Sequence, residues 1–209
     1  LPGDYVPVRT AVFEEKVLPG LRLSIRQEGT VPAPDVRTEG GWEYRRWTWK
    51  DQPAIQPEAS SPGLYRHYPW VGLSTYASWD QPFEPYRKEF WERAVISGDT
   101  RRFVADLIRG ASNDEEKFAR IRGYLAGHVK YLAIEIGRGR IVPTPADTVL
   151  KRGFGDCKDM VALLAAMLGA AGVESSPTLL SSRSDAGLSG DHAEPEIINH
   201  VLLHLPTLR

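Results

Sequence analysis

A single cysteine and two late histidines are the residues here whose chemistry could make and break amide bonds. Cys157 stands in Gly153-Phe154-Gly155-Asp156-Cys157-Lys158-Asp159, directly ahead of the apolar stretch Met160 to Ala171. Glycines permit a tight, unusual backbone at 153–155. Asp156 is a good helix N-cap, which puts Cys157 in the first turn of a helix, and Gly172 falls where the residue after the C-cap belongs. A thiol at a helix start feels the positive end of the helix dipole and unpaired backbone N–H groups, and both favour thiolate. Lys158 adds to that bias, whereas Asp156 and Asp159 oppose it. With one cysteine, neither an internal disulfide nor a cysteine zinc cluster can form. Cys157 is therefore either a small core hydrophobe, as an isolated cysteine usually is, or a nucleophile.

His200 lies inside the apolar segment Ile197 to Leu205, which reads as a strand. His204 is four residues on and shares its strand face, so it is a rival base. The two histidines could also be taken as a metal pair, but no third ligand of comparable signal accompanies them. Between cysteine and histidine, Val173 to Ser182 reads as another strand and residues 183–195 as a loop rich in Ser, Asp, Gly and His. Two neighbouring strands packed on the cysteine helix can carry His200 to Cys157, where an imidazole can take the thiol proton and later return it to a leaving amine.

Upstream, the elements change class near residue 90. All six tryptophans lie at or before Trp91, and so do 11 of the 16 prolines. The first part reads as β. Leu21, Leu23 and Ile25 alternate with Arg22, Ser24 and Arg26 after the Pro19-Gly20 turn, and Tyr5 to Phe13 is an edge or irregular strand marked by Pro7. Trp42 and Tyr44 alternate with Glu43 and Arg45, while Trp47 and Trp49 continue one step out of phase, which predicts a bulge near Arg45-Arg46. Residues 51–69, with Pro53, Pro57, Pro62, Gly63 and Pro69, read as extended loop. The tryptophans serve as sandwich core and interface, with an exposed carbohydrate- or peptide-binding face as the alternative.

Helices follow. Phe83 to Ile96 forms one; Asp99 or Thr100 caps a second that Gly110 ends; and Ser112-Asn113-Asp114-Glu115 reads as a capping box for a third, whose stripe is Phe118, Ile121, Leu125 and Val129. The chain then runs through Tyr131 and past Pro143 and Pro145 to a short helix over Asp147 to Lys151. The expected fold class is α+β: a partial N-terminal β-sandwich over 1–78, truncated at its start, then a helical connector and core over 79–209.

The 209 residues are 42% hydrophobic and 25% charged, enough for a packed core. Lys plus Arg is 26 against 27 Asp plus Glu, which argues against a nucleic-acid binder working through a basic surface and against a polybasic membrane contact. The apolar run Met160 to Val173 is too short to cross a bilayer, and Leu1 to Tyr5 lack the pattern of a signal peptide.

The cysteine segment resembles the transglutaminase-like superfamily, the papain-related cysteine acyl-transfer enzymes, in its bacterial branch with a Gly-Asp-Cys-Lys-Asp motif. The resemblance is carried by Gly155 to Asp159, the Ala/Leu-rich helix ending at Gly172-Val173, and Asn199-His200. Val129-Lys130-Tyr131, and Pro143 to Leu150 with Pro145, Ala146, Asp147 and Val149, add to it. Tyr44 to Trp47, Pro53 to Ile55, and Ser74 with Ser78-Trp79 resemble the second half of a β-sandwich domain of unassigned function that often precedes the core in that branch.

The resemblance implies that Cys157 is the nucleophile and His200 the general base, with a papain-like core in which the cysteine helix packs on an antiparallel sheet. The oxyanion hole would use the Cys157 backbone N–H plus an upstream side chain, for which Tyr131 is the candidate. Gly155, Asp156 and Asp159 are supporting residues. Family members complete a triad with an Asp, sometimes an Asn, on the next strand; no residue up to Arg209 matches it, and it is expected beyond Arg209. No cofactor is implied, and no acidic cluster resembles the calcium sites of animal members. The implied partner is a peptide or protein amide substrate, cell-wall peptide included, in a periplasmic or extracellular setting, hydrolysed or transamidated through a thioester. Two other readings stay open: an inactive scaffold or binding module with this fold, and a metal-dependent hydrolase using His200 and His204.

Overall fold

The computed structural model of the chain describes residues 6–54, 68–133, 141–182 and 190–208. The chain divides into two compact units, one of 1–82 with 183–197 and one of 83–182 with 198–209.

The first unit is β. Its three-stranded antiparallel sheet has the order β1-β4-β3, with β1 at Val8–Val17, β3 at Asp35–Glu39 and β4 at Trp42–Gln52. A two-stranded antiparallel ribbon pairs β2, Ser24–Glu28, with β5, Trp70–Ser74. The alternation that begins at Leu21 becomes strand only from Ser24. Most of the proline-rich 51–69 stretch lies outside the described residues.

No bulge interrupts β4. Its register against β1 runs evenly through Glu15↔Arg45 and Glu14↔Arg46. Trp42 and Tyr44 therefore occupy the opposite face from Trp47 and Trp49. The second pair is buried, and Trp47 stacks on its cross-strand partner Phe13 with ring centroids 5.5 Å apart. The first pair is covered by cations from the flanking strands: Lys16 Nζ lies 4.2 Å from the Trp42 ring centroid and the Arg37 guanidinium 4.4 Å from that of Tyr44. Aromatics on both faces of one regular strand gave the phase shift read as a bulge.

The second unit is built on helices. The first, α1, spans Asp80–Arg93, beginning three residues before the expected start. Next, α2 spans Gly98–Leu107 with Ser97 as its N-cap, ahead of the expected Asp99 or Thr100. The third, α3, spans Asp114–His128. Its cap is one residue later than the Ser112 box predicts: Asn113 accepts from Glu116 N–H at 2.9 Å, and the Glu116 carboxylate accepts from Ser112 N–H at 2.8 Å. That contact, chiefly with the Ser112 backbone, holds the exposed Glu116 carboxyl below its ordinary value.

After α3, the two-residue strand β6, Lys130–Tyr131, pairs in parallel with β7, Phe154–Gly155. Between these strands lies α4, Ala146–Arg152. Next comes α5, Cys157–Ala170, then the antiparallel hairpin of β8, Ser176–Leu180, and β9, His200–His204. The expected strand from Ile197 starts later because Pro195–Ile197 forms a 3-10 turn.

The core of this unit surrounds α5. Ile121, Leu125 and Val129 of the α3 stripe meet Leu163, Met167 and Leu168 on one side. Phe90 of α1 and Val201 of β9 meet Val161, Ala162 and Ala165 on another. The cysteine helix is thus packed against an antiparallel hairpin, as expected. Among the described residues no helix is long and apolar enough to cross a membrane.

Candidate active site

The segment around Cys157 is built from charged groups that satisfy one another. Asp156 is the N-cap of α5 and accepts from Asp159 N–H at 3.3 Å, while Asp159 accepts from Asp156 N–H at 3.4 Å, a reciprocal capping box. The remaining acceptor capacity of Asp159 goes to Thr144 N–H at 2.7 Å and to the Arg152 guanidinium at 2.5 Å. Lys158 turns inward to pair with Asp156. All three of Asp156, Lys158 and Asp159 are buried. Both acids are therefore paired with a cation, and Lys158 is spent on Asp156 rather than presented to a ligand. Cys157 itself is half-buried as the first residue of α5.

Gly155 has to be small. A Cβ there would lie 2.7 Å from Asp159 Cβ and 3.1 Å from Val149 Cγ1, so any other residue would push Asp159 out of the capping box. Gly153 ends α4 at φ 71°, in the left-handed region that suits glycine.

Strand β6 places Tyr131 beside the thiol. Lys130 N–H donates to Gly153 O at 2.9 Å and Leu132 N–H to Gly155 O at 2.8 Å, which seats Tyr131 opposite Gly155. Tyr131 is 61% exposed. Desolvation first, then the Cys157 and Asp156 charges, raise its pKa above the ordinary phenol value.

A second phenol, Tyr86 of α1, packs against the same buried cluster as Cys157. Burial, followed by the Cys157 and Asp156 charges, pushes its pKa up to about 12. Sequence reading placed this helix but did not single out Tyr86. The signal for it was the Tyr86, Phe90, Ala94 spacing, which puts Tyr86 on the apolar stripe of α1.

His200 is the first residue of β9, opposite Leu180. Its neighbour Val201 is buried in the cluster that Cys157 packs against. By strand alternation His200 shares a face with Leu202 and His204, opposite Val201 and Leu203. Among the described residues no hydrogen bond joins His200 to Cys157. Asn199 holds the start of the hairpin: its N–H donates to Leu180 O at 3.2 Å, and its Oδ1 accepts from Ser182 N–H at 2.9 Å and Ser182 Oγ–H at 3.0 Å. His204 is exposed at the far end of the strand, opposite Ser176. Among the described residues no three His, Cys, Asp or Glu side chains are grouped to hold a metal.

Cys157 thus stands at the first position of a buried helix that packs on the antiparallel hairpin carrying His200. Residues 101–193 match the family model of the transglutaminase-like superfamily, a segment that includes Tyr131 and Cys157 and ends before His200. The resemblance carried by Gly155 to Asp159 thus has an independent counterpart.

The fold is similar to that of a provisionally assigned protease from Parabacteroides distasonis, with TM-score 0.74 and 22% identity over 96% of this chain. The match covers 39% of that protein's chain, so the present chain spans well under half of its length. A provisionally assigned cysteine protease from Cytophaga hutchinsonii aligns with TM-score 0.37 and 13% identity, covering 85% of this chain and 63% of that one; a score at this level does not define a shared fold. No curated protein matches the chain.

Proposed function

We propose that this protein is a thiol-dependent enzyme acting on amide bonds. The observation that carries the reading is Cys157 at the first position of α5, half-buried, with Tyr131 seated opposite Gly155 and the histidine strand packed on the same helix. His200 takes the thiol proton. The thiolate attacks the amide carbonyl, the C–S bond forms, and the tetrahedral oxyanion is met by the Cys157 N–H and the Tyr131 hydroxyl. Collapse breaks the C–N bond, and the amine leaves with the proton held by the imidazolium. Water or a second amine then resolves the thioester, giving hydrolysis or transamidation. A peptide amide outside the cytoplasm, cell-wall peptide included, is the substrate class supported by the resemblance around Cys157. Catalytic hydrogen bonds often form only with substrate bound, so the absence of a His200–Cys157 hydrogen bond among the described residues is compatible with the role.

A second reading has an observation of its own. His200 shares its strand face with the exposed Leu202, opposite Val201. A module that keeps the fold without pairing cysteine and histidine would show this arrangement.

Alkylation of Cys157 by iodoacetamide against pH, followed by mass spectrometry, separates the two. A paired thiol reacts fast well below the free-thiol pKa of about 8.5, and His200→Ala abolishes that advantage. An ordinary thiol profile in both proteins would overturn the catalytic reading in favour of the binding module.

A further inference from the structure

Arg152 joins two elements of the thiol segment through one side chain. It is the last residue of α4, and the left-handed turn at Gly153 sends the chain back past it. Its Nε donates to Phe154 O at 2.7 Å, and its guanidinium donates to Asp159 Oδ2 at 2.5 Å. The guanidinium carbon lies 4.6 Å from the centroid of the Phe154 ring. Arg152 therefore holds β7 by its backbone and its ring, and α5 by a carboxylate that is 6% exposed.

The carbonyls of β7 are divided between two partners. Gly153 O and Gly155 O accept from Lys130 and Leu132, the residues on either side of Tyr131. Phe154 O lies between them and points the other way, where it meets Arg152. Strand β7 is thus fixed along both edges, by the strand that carries Tyr131 and by Arg152. Its last residue, Gly155, stands opposite Tyr131 and two positions before Cys157. The Asp156 N–H between them donates to Asp159 Oδ2, the oxygen that Arg152 also holds. Asp159 Oδ1 accepts from Thr144 N–H, so the carboxylate is gripped at both ends. A lysine cannot replace this grip. Its ammonium is a single point charge, whereas a guanidinium directs donors to two acceptors and stacks on a ring.

We propose that Arg152 is a positioning residue for acyl transfer: by tying β7 to the capping box of α5, it sets the Tyr131 hydroxyl and the Cys157 N–H on one oxyanion. This rests on the reading of Cys157 as nucleophile and Tyr131 as oxyanion donor.

Two reagents that meet the same thiol separate positioning from general damage. Iodoacetamide reacts at a saturated carbon and forms no oxyanion. With p-nitrophenyl acetate the thiolate attacks the carbonyl, the C–S bond forms, the C–O bond to p-nitrophenolate breaks, and Cys157 is left acetylated. Arg152→Lys keeps a cation beside Asp159 without also holding Phe154 O. In that variant the p-nitrophenolate burst should slow by about 10- to 100-fold, the scale of misplaced reacting groups, while the rate and pH profile of alkylation stay within about twofold. Tyr131→Phe should slow the burst too, and the double variant should be little slower than Tyr131→Phe alone, because both changes act on one contact. Mass spectrometry locates the acetyl group, and amide exchange in α3 reports folding. If Arg152→Lys does not fold, Arg152→Gln is read in its place. A burst at the unaltered rate in a folded variant, equal slowing with both reagents, or additive slowing in the double variant overturns positioning and leaves Cys157 as the nucleophile. If the unsubstituted protein gives no burst that Cys157→Ala abolishes, the catalytic reading fails and the positioning role falls with it.

Discussion

At the residue scale, two phenols near the thiol have acidities shifted by their surroundings. Tyr131 is open to solvent and is the proposed second donor to the tetrahedral oxyanion. Tyr131→Phe should therefore slow hydrolysis of a peptide amide, followed by amine release, by about 10²-fold or more, the scale of one lost oxyanion donor. Tyr86 is the more enclosed phenol, with a pKa of about 12 against an ordinary 10.0. The folded state prefers its neutral form, so the associated stability is complete below pH about 10 and is lost as pH rises through about 12. A phenol displaced this far from its ordinary acidity contributes about 2 to 3 kcal/mol. Alkaline unfolding followed by circular dichroism should therefore show a loss of stability above pH about 10 that Tyr86→Phe largely removes. Buried charge pairing gives a third expectation. Lys158→Ala leaves Asp156 buried and without its cation, and urea titration should show a loss of about 3 kcal/mol.

At the element scale, the helix that carries Cys157 was the most legible part of the chain, because its signals are local. Asp156 and Asp159 three residues apart, glycines before them and Gly172 after them are enough to bound α5. Gly155→Ala should lower stability by about 1 to 3 kcal/mol, since its Cβ meets the Cβ of Asp159 rather than a flexible side-chain end. Gly169→Ala, later in the same helix with nothing within 4 Å of the added Cβ, should instead be neutral or stabilising by up to about 1 kcal/mol. A pair of thermal melts checks both signs. The β elements were less legible because their logic crosses strands. The phase change at Arg45-Arg46 was real, but its cause was Lys16 and Arg37 on neighbouring strands covering a second aromatic face. Of the site, Cys157, Asp156, Asp159 and Tyr131 could be found from one local stretch or a resemblance. Tyr86 could not, because only the packing of α1 on α5 brings it to the thiol.

At the scale of the whole molecule, the chain divides between Pro82 and Phe83, with residues 183–197 grouped with the first unit. What composition could not reveal is that residues 183–197 return to the first unit, since His192 and Ser24 are 168 positions apart and neither stretch announces the other. Trp47→Ala, at a fully buried site in the first unit, should cost about 3 to 5 kcal/mol and quicken amide exchange in β1 and β4, measured by mass spectrometry.

The same return has a consequence for how the protein is made. The first 82 residues leave the ribosome without the stretch that covers Ser24 and Ser74, and the intervening residues 83–182 must be translated before it arrives. At ordinary elongation rates that delay is roughly 5 to 20 s. During that interval β2 and β5 wait with an uncovered face for residues encoded far downstream, and a nascent chain stalled before residue 190 has no means of covering it.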